Sequence, residues 1–269
     1  MSTEAIRYSI LKAQDHTFIQ TEDLIVPEIP LTLFFNDEEI ATLLCSPSQL
    51  EDLAYGFLFS EGFIHSAADI QWLKYDPKLN IVWAEGTSYL ASKDLLNKRT
   101  FSACCGKSRV ALNFANDKDR LQRQTSNVQI SLEEAYGYTR YLQDHSPLFQ
   151  ATGGIHSGGI GSQGKVLLTS YDIGRHNVFD KLAGAALRSG IKTTDHVVFF
   201  SGRISSEILL KLAKMNIPVL IARSAPTELA LKFAQDLNIT VIGFARGDRL
   251  NIYTCPERIL LPSPTPSET

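Results

Sequence analysis

A chain of 269 residues is long enough for one large domain or two modest ones. It is 44% hydrophobic and 20% charged, an ordinary balance for a globular protein with a packed core. The formal net charge of -3 excludes bulk electrostatic attraction to nucleic acid or to an anionic membrane surface. No uninterrupted apolar run reaches the roughly 18 residues that a bilayer-spanning helix needs, so no membrane association is expected.

The start, MSTEAIRYSILKAQDH, is mixed and polar. It lacks the basic opening and apolar middle of a secretory signal, and the expectation is a cytoplasmic chain. Four cysteines, Cys45, Cys104, Cys105 and Cys255, are too few to staple a fold in that compartment. Cys45 and Cys255 read as structural thiols.

In chain order, the first part (to about residue 125) mixes short strands and helices. Ile29 to Phe35 is β-friendly and runs into an Asn36-Asp37 turn. Ser48 to Phe59 reads as an amphipathic helix, with Ser48 as N-cap and Glu51 three residues on as its capping box. Asn80 to Glu85 reads as a short strand. Ser131 to Gln143 reads as a second helix, opened by Ser131 with Glu134 at the third position. The stretch ATGGIHSGGIGSQG (151–164) has a glycine density that points away from regular structure. It is expected to place His156 and several backbone amides at a ligand edge.

From residue 165 strand and helix alternate. Strands are predicted over 165–171, 196–200, 217–222 and 239–245. Between them helices run through Val178 to Leu187, through 205–215, and through 226–237 with Pro226 in or near the first turn. This order predicts a mainly parallel sheet with helices on its faces. The division expected is an α+β part over 1–125, an α/β part over 126–260 and a disordered Pro/Ser/Thr-rich tail over 261–269.

In such sheets ligands bind beyond the carboxyl ends of the strands. The turns there read YDIGRHN (171–177), FSGRISS (200–206) and ARSAPT (222–227), and the last strand runs out into FARGDR (244–249). Each turn carries an arginine, Arg175, Arg203 and Arg223, and the final segment adds Arg246 and Arg249. One such arginine is readily explained by a surface carboxylate. Five on one edge, beside helix N-termini with open N–H groups, make a site for a polyanion such as a chain of phosphates. Gly174, Gly202 and Gly247 let backbone approach the ligand. Asp172, Asp180 and Asp248 are candidates to read a base edge or to orient the arginines, and His156 and His176 stand in the same turns. No metal-ligand set, P-loop or dinucleotide fingerprint is visible, and the zinc-deaminase signature is absent.

FSACCGKSR (101–109) carries the chemistry. Neighbouring Cα atoms are about 3.8 Å apart, against about 4.4–6.8 Å across an ordinary disulfide. A standing Cys104–Cys105 bridge is therefore disfavoured, and both read as working thiols. Lys107 and Arg109 favour the thiolate. A redox pair, a metal-ligand pair and a sulfur carrier are all open at this point.

Seven stretches, EDLAYGFLFSEGFI (51–64), SACCGKS (102–108), TGGIHS (152–157), DIGRHNVFDKLAGAAL (172–187), SGRIS (201–205), RSAPTELA (223–230) and GFARGDRLNIYT (243–254), resemble the formate dehydrogenase accessory proteins, the FdhD sulfurtransferase family. The resemblance implies a sulfur carrier charged by a cysteine desulfurase, with a persulfide on Cys104 or Cys105. The sulfur then passes to a molybdenum or tungsten bis(molybdopterin guanine dinucleotide) cofactor, bound as acceptor, before that cofactor enters formate dehydrogenase. It further implies a homodimer, a cytidine-deaminase-like mixed sheet with flanking helices in the C-terminal part, and no resident metal. Its cofactor-binding segment falls on Phe244, Ala245, Arg246, Gly247, Asp248 and Arg249. The strand-end turns add His156, Arg175, His176, Ser201, Gly202, Arg203, Arg223 and Ser224. The family's C-x-x-C-G pattern is met at its second cysteine by Cys105-Gly106, while Ser102 holds the first position and Cys104 is the nearest substitute. Tyr171 stands where the family has Glu. A cofactor chaperone without sulfur chemistry and a thiol redox protein are the competing readings.

Overall fold

A computed structural model describes residues 5–89, 99–100, 109–110 and 121–260. The expected tail over 261–269 lies outside them. No helix among the described residues is long and apolar enough to cross a membrane.

The chain opens with an antiparallel hairpin, β1 (Ile6–Gln14) and β2 (Thr17–Ile25), turned by Asp15 and His16 at positive φ. The sequence reading did not anticipate it. Most of its apolar residues, among them Tyr8, Leu11, Phe18 and Ile19, are exposed and fall on both faces, so no one-sided alternation marks it. Strand β3 (Ile29–Phe35) follows as expected, and Asn36-Asp37, both residues at positive φ, turn it into β4 (Glu38–Cys45), a strand the sequence did not mark. With β5 (Ile70–Asp76) and β6 (Ile81–Gly86) they form a four-stranded sheet ordered β4-β3-β6-β5. Leu31, Leu33, Val82 and Ala84 pack from this sheet against Leu53, Phe57 and Leu58 of helix α1 (Leu50–Glu61).

The start of α1 departs from expectation. Gln49, in a left-handed conformation and with no side-chain cap bond, precedes the helix. The Ser48 hydroxyl instead accepts from the buried Lys181 ammonium. A buried lysine needs oxygen partners more than a helix end near solvent needs a cap.

Two short paired strands, β7 (Arg99–Thr100) and β8 (Arg109–Val110), bring together the residues either side of the cysteine segment. Strand β9 (Ile130–Ser131) then leads into α2 (Leu132–Asp144), opened by the predicted capping box: Glu134 N–H donates to Ser131 Oγ at 3.1 Å and Ser131 N–H to Glu134 Oε2 at 2.8 Å. After α3 (Pro147–Thr152) come β10 (His156–Ser162), β11 (Lys165–Asp172) and α4 (Arg175–Arg188). The chain continues through β12 (Val197–Phe200), α5 (Ser206–Lys214), β13 (Val219–Ala222), α6 (Glu228–Asp236), β14 (Thr240–Arg246), β15 (Arg249–Thr254) and β16 (Ile259–Leu260). Thr227 caps α6, and Pro226 stands just before that cap, next to the first turn as expected.

The six-stranded sheet runs β11-β10-β12-β13-β14-β15. Only the β12-β13-β14 pairings are parallel, and both flanks are antiparallel. The mainly parallel sheet read from the alternation is thus corrected to the mixed sheet that the resemblance implied, because the flanking connections, β10 to β11 and β14 to β15, are tight hairpins that reverse the chain. Helices α4 and α5 cover one face and α2 the other.

The glycine-rich stretch is also corrected. Over His156–Ser162 it is a regular strand inside the sheet. A Cβ on Gly159 would stand 2.2 Å from the Phe199 ring, and one on Gly161 2.3 Å from Tyr138, so glycine there makes room for rings stacked 5.0 Å apart. Helices α1 and α4 meet with equal intimacy: a Cβ on Gly184 would lie 1.9 Å from the Asp52 carbonyl oxygen.

Candidate anion-binding site

The mixed topology still gathers the predicted turns on one edge. The carboxyl ends of β11, β12, β13 and β14 and the amino ends of β10 and β15 all lie there. His156 opens β10 opposite Asp172. Its ring is 6.1 Å from that of Phe200, and Gly202 passes beside it, where a Cβ would come within 3.2 Å of Nδ1. Serines zip the turns together. Ser157 N–H donates to Ser201 Oγ at 2.9 Å, Ser201 N–H returns to Ser157 O at 2.9 Å, and Ser224 Oγ donates to Ser201 O at 3.1 Å. Arg223 N–H donates to Phe200 O at 3.0 Å, and Arg246 Nε to Arg223 O at 3.1 Å.

Gly247 and Asp248 form the two-residue turn between β14 and β15, which places Arg246 directly opposite Arg249. Phe244 sits in a bulge with φ of 51°, the residue 45% exposed, and its N–H donates to Ser224 O at 3.3 Å. A bulky residue in that conformation is strained and needs surroundings that hold it there. Ala245 points the other way, into the core under α2, so only its backbone can serve the edge.

The charge pattern decides what the edge can bind. Among the described residues no carboxylate pairs with Arg175, Arg203, Arg223, Arg246 or Arg249. The surface-pairing explanation of these arginines therefore fails. Arg175, in the first turn of α4, has its Nε buried and without a hydrogen-bond partner. Uncompensated guanidinium groups, a buried donor and the N-terminus of a 14-residue helix together favour an anion. His156 is held below the ordinary histidine range, first by burial and then by Arg175, with Asp172 pulling the other way. It stands as a neutral donor and acceptor rather than as a further cation.

Other candidates are used elsewhere. His176 is buried, with Nε2 2.7 Å from Glu207 Oε2 in the first turn of α5. Asp172 is fully buried and does not face a ligand. It takes N–H groups from Ser46 and Gly174, the Asn177 amide, and an ion pair with Lys181 at 2.6 Å. Asp180 is likewise buried and ion-paired with Lys211. Of the three aspartates only Asp248 is exposed at the edge. The corner at Ser46 was not foreseen: Ile173 N–H donates to Ser46 Oγ, and Asn177 Nδ2 donates to Leu44 O. These bonds span more than 120 residues of chain, and no local pattern announces them.

The FdhD/NarQ family pattern matches residues 26–260. The chain belongs to that family. The match includes the four-stranded sheet, the cysteine segment and the whole cationic edge. A relative described as sulfur carrier protein FdhD, from Halalkalibacterium halodurans, is 41% identical over 255 residues, 94% of each chain. Another of the same description, from Bacillus subtilis, is 43% identical over 242 residues, 89% of this chain and 92% of that one. A crystal structure of a protein described as a formate dehydrogenase accessory protein, from Desulfotalea psychrophila, shares the fold. Its TM-score is 0.79 at 24% identity, covering 95% of this chain and 99% of that one.

Cys104 and Cys105, the predicted reactive pair, lie outside the described residues. The two other cysteines are free: Cys45 is buried and Cys255 half-buried. Burial pushes the Cys45 thiol up to about 12, with Asp172 adding to the shift, and burial raises Cys255 as well. Neither is a thiolate at neutral pH. Among the described residues no cluster of histidines, cysteines and carboxylates is arranged to hold a metal.

Proposed function

We propose that this chain is a sulfur carrier that serves formate dehydrogenase. It accepts sulfur from a cysteine desulfurase as a persulfide on Cys104 or Cys105. It delivers that sulfur to a bis(molybdopterin guanine dinucleotide) cofactor held at the cationic edge. In the loading step the carrier thiolate attacks the terminal sulfur of the donor persulfide. One S–S bond forms as another breaks, and the donor leaves as a thiolate. The described thiols, Cys45 and Cys255, have raised pKa values and suit a structural role, which leaves the adjacent pair beside Lys107 as the nucleophile.

The observation that carries the acceptor half is the set of five arginines without carboxylate partners among the described residues, together with the orphaned Arg175 Nε. An acceptor with several phosphates supplies the missing charge. Phe244 presents an exposed ring at the same edge, where a nucleobase can stack. The same reading takes the desulfurase as donor, formate dehydrogenase as client and a homodimer as the working form.

Intact-mass measurement after incubation with a desulfurase and cysteine tests the carrier half. The expected result is a gain of one sulfur atom, absent in Cys104→Ala or in Cys105→Ala. No gain on the wild-type chain, or a gain kept by the double Cys104→Ala/Cys105→Ala variant, overturns it. If that double variant still supports formate dehydrogenase activity, the chaperone reading without sulfur chemistry replaces it.

A further inference from the structure

The hairpin β1–β2 stands apart from the buried cores. No third strand among the described residues joins it, and its main contact with another helix or strand is β2 against α3. Every residue of its two strands is exposed except Ile10 and Leu24, which are half-buried. A two-stranded ribbon is marginal by itself in water and needs a further layer against an apolar face. Its register is regular from end to end, without the bulge or proline that blunts a free edge. We infer that the covering layer is the same hairpin of a second copy of this chain, laid face to face and antiparallel about a twofold axis. This inference rests on the homodimer of the proposed function and names what joins it.

Alternation settles which face is covered. Paired residues of an antiparallel ribbon share a face, and the next pair points the other way. One face carries Ile6 with Ile25, Tyr8 with Asp23, Ile10 with Thr21 and Lys12 with Ile19. The opposite face carries Leu11, Ala13, Phe18 and Leu24, together with Arg7 and Glu22, which already pair with each other at 3.2 Å. On the first face neither Lys12 nor Asp23 forms an ion pair among the described residues.

Charge decides the occupant. The Tyr8–Asp23 and Lys12–Ile19 pairs lie one on each side of the Ile10–Thr21 pair, at equal spacing. A twofold axis through that central pair sets the Lys12–Ile19 pair of each copy over the Tyr8–Asp23 pair of the other. The ammonium then meets a carboxylate and the face of a tyrosine ring, and each Ile10 meets its counterpart. A patch that is its own complement under a twofold fits a second copy of the same chain, and the arrangement closes at two.

Area is sufficient. A tyrosine side chain has about 150–250 Å² to bury. Tyr8 is 64% exposed, and Ile6, Ile19 and Ile25 are about half exposed. Two such faces together offer on the order of 1,000 Å², the size at which a specific interface begins.

Sedimentation equilibrium of the full chain tests the inference. The wild-type chain is expected to be a dimer, and Tyr8→Ser/Ile19→Ser to raise its dissociation constant at least about a hundredfold. Leu11→Ser/Phe18→Ser, on the opposite face, is expected to leave it unchanged. An unchanged constant in the first variant overturns the inference and leaves the homodimer reading standing. An equally large rise in the second overturns the choice of face. Zero-length carbodiimide cross-linking of an equal mixture of ¹⁴N- and ¹⁵N-labelled wild-type chain needs no variant to fold. The expected product is a Lys12–Asp23 link that joins one light and one heavy peptide, since within one chain the two residues lie four pairs apart along the ribbon, about 13 Å. A dimer that yields no such mixed link overturns the inference. A wild-type chain that stays monomeric up to about 100 μM removes the homodimer reading, and this inference falls with it.

Discussion

At the scale of single residues, burial sorts the cysteines. Cys45 is fully enclosed, its thiol pushed up to about 12, so at pH 8 almost none of it is thiolate. Brief iodoacetamide treatment of the native protein at about pH 8, followed by peptide mass mapping, is expected to modify Cys104 and Cys105 and to spare Cys45. Modification of Cys45 at a comparable rate would show that its enclosure opens readily. His156 makes a second residue-scale prediction. Burial and then Arg175 depress it from the ordinary value of 6.5, and burial depresses His196 as well. A histidine depressed on folding binds fewer protons in the folded state. Its contribution to stability is complete above about 6.5 and is lost as pH falls from there through the lower folded value. The urea midpoint is expected to drop on acidification from about pH 7.5 to pH 5, and less steeply in His156→Asn. An identical slope in the variant would remove His156 from the account. The sequence marked His156 correctly as an edge residue. It could not show that His176, in an equally suggestive turn, is spoken for by Glu207, because that partner is 31 positions away.

At the scale of elements, local signals worked where an element's own neighbours in sequence settle its geometry. Ser131 and Glu134 form the capping box that their spacing predicts, and Asn36-Asp37 turn β3 into β4. They failed where packing overruled them. Ser48 has the same spacing to Glu51, yet it serves Lys181. Three glycines in β10 read as a loop, yet they are the spaces into which Tyr138, Phe199 and the side chains of α4 fit. The α1–α4 contact depends on the same device. Gly184→Val places side-chain atoms where the Asp52 carbonyl already lies, and the two helices must separate. We expect a loss of about 3 kcal/mol or more, the upper range for overpacking, measured by urea unfolding. A loss under about 1 kcal/mol, the range of tolerated core changes, would mean that the helices part without penalty.

At the scale of the whole molecule, a buried polar knot joins the first half to the second. Asp172 and Lys181, both fully enclosed, form its centre. Asp172 accepts the Ser46 N–H, and Lys181 donates to the carbonyls of Ser46 and Tyr171. The knot fixes the β4–α1 corner against the end of β11, where the cationic edge begins. Asp172→Ala leaves a buried ammonium without its counter-charge, and a loss of about 3–5 kcal/mol is expected. Equilibrium unfolding is the measurement, and a variant as stable as the wild type would show that the knot is not needed. The double change Asp172→Leu/Lys181→Met is expected to recover part of the loss, since it removes both charges.

By itself the sequence determined the alternation of strands and helices after residue 165, the run of arginines at the strand ends and the adjacent thiols. These follow from residue types at short spacings, where hydrophobic period, turn chemistry and charge act locally. Only the tertiary structure decided which strand pairs are parallel, that a glycine-rich stretch is an inner strand, and which polar residues face inward. It also decided that no carboxylate among the described residues pairs with the five arginines of the edge. Those outcomes depend on which distant surfaces exclude water from each other, and short-range sequence patterns do not encode that.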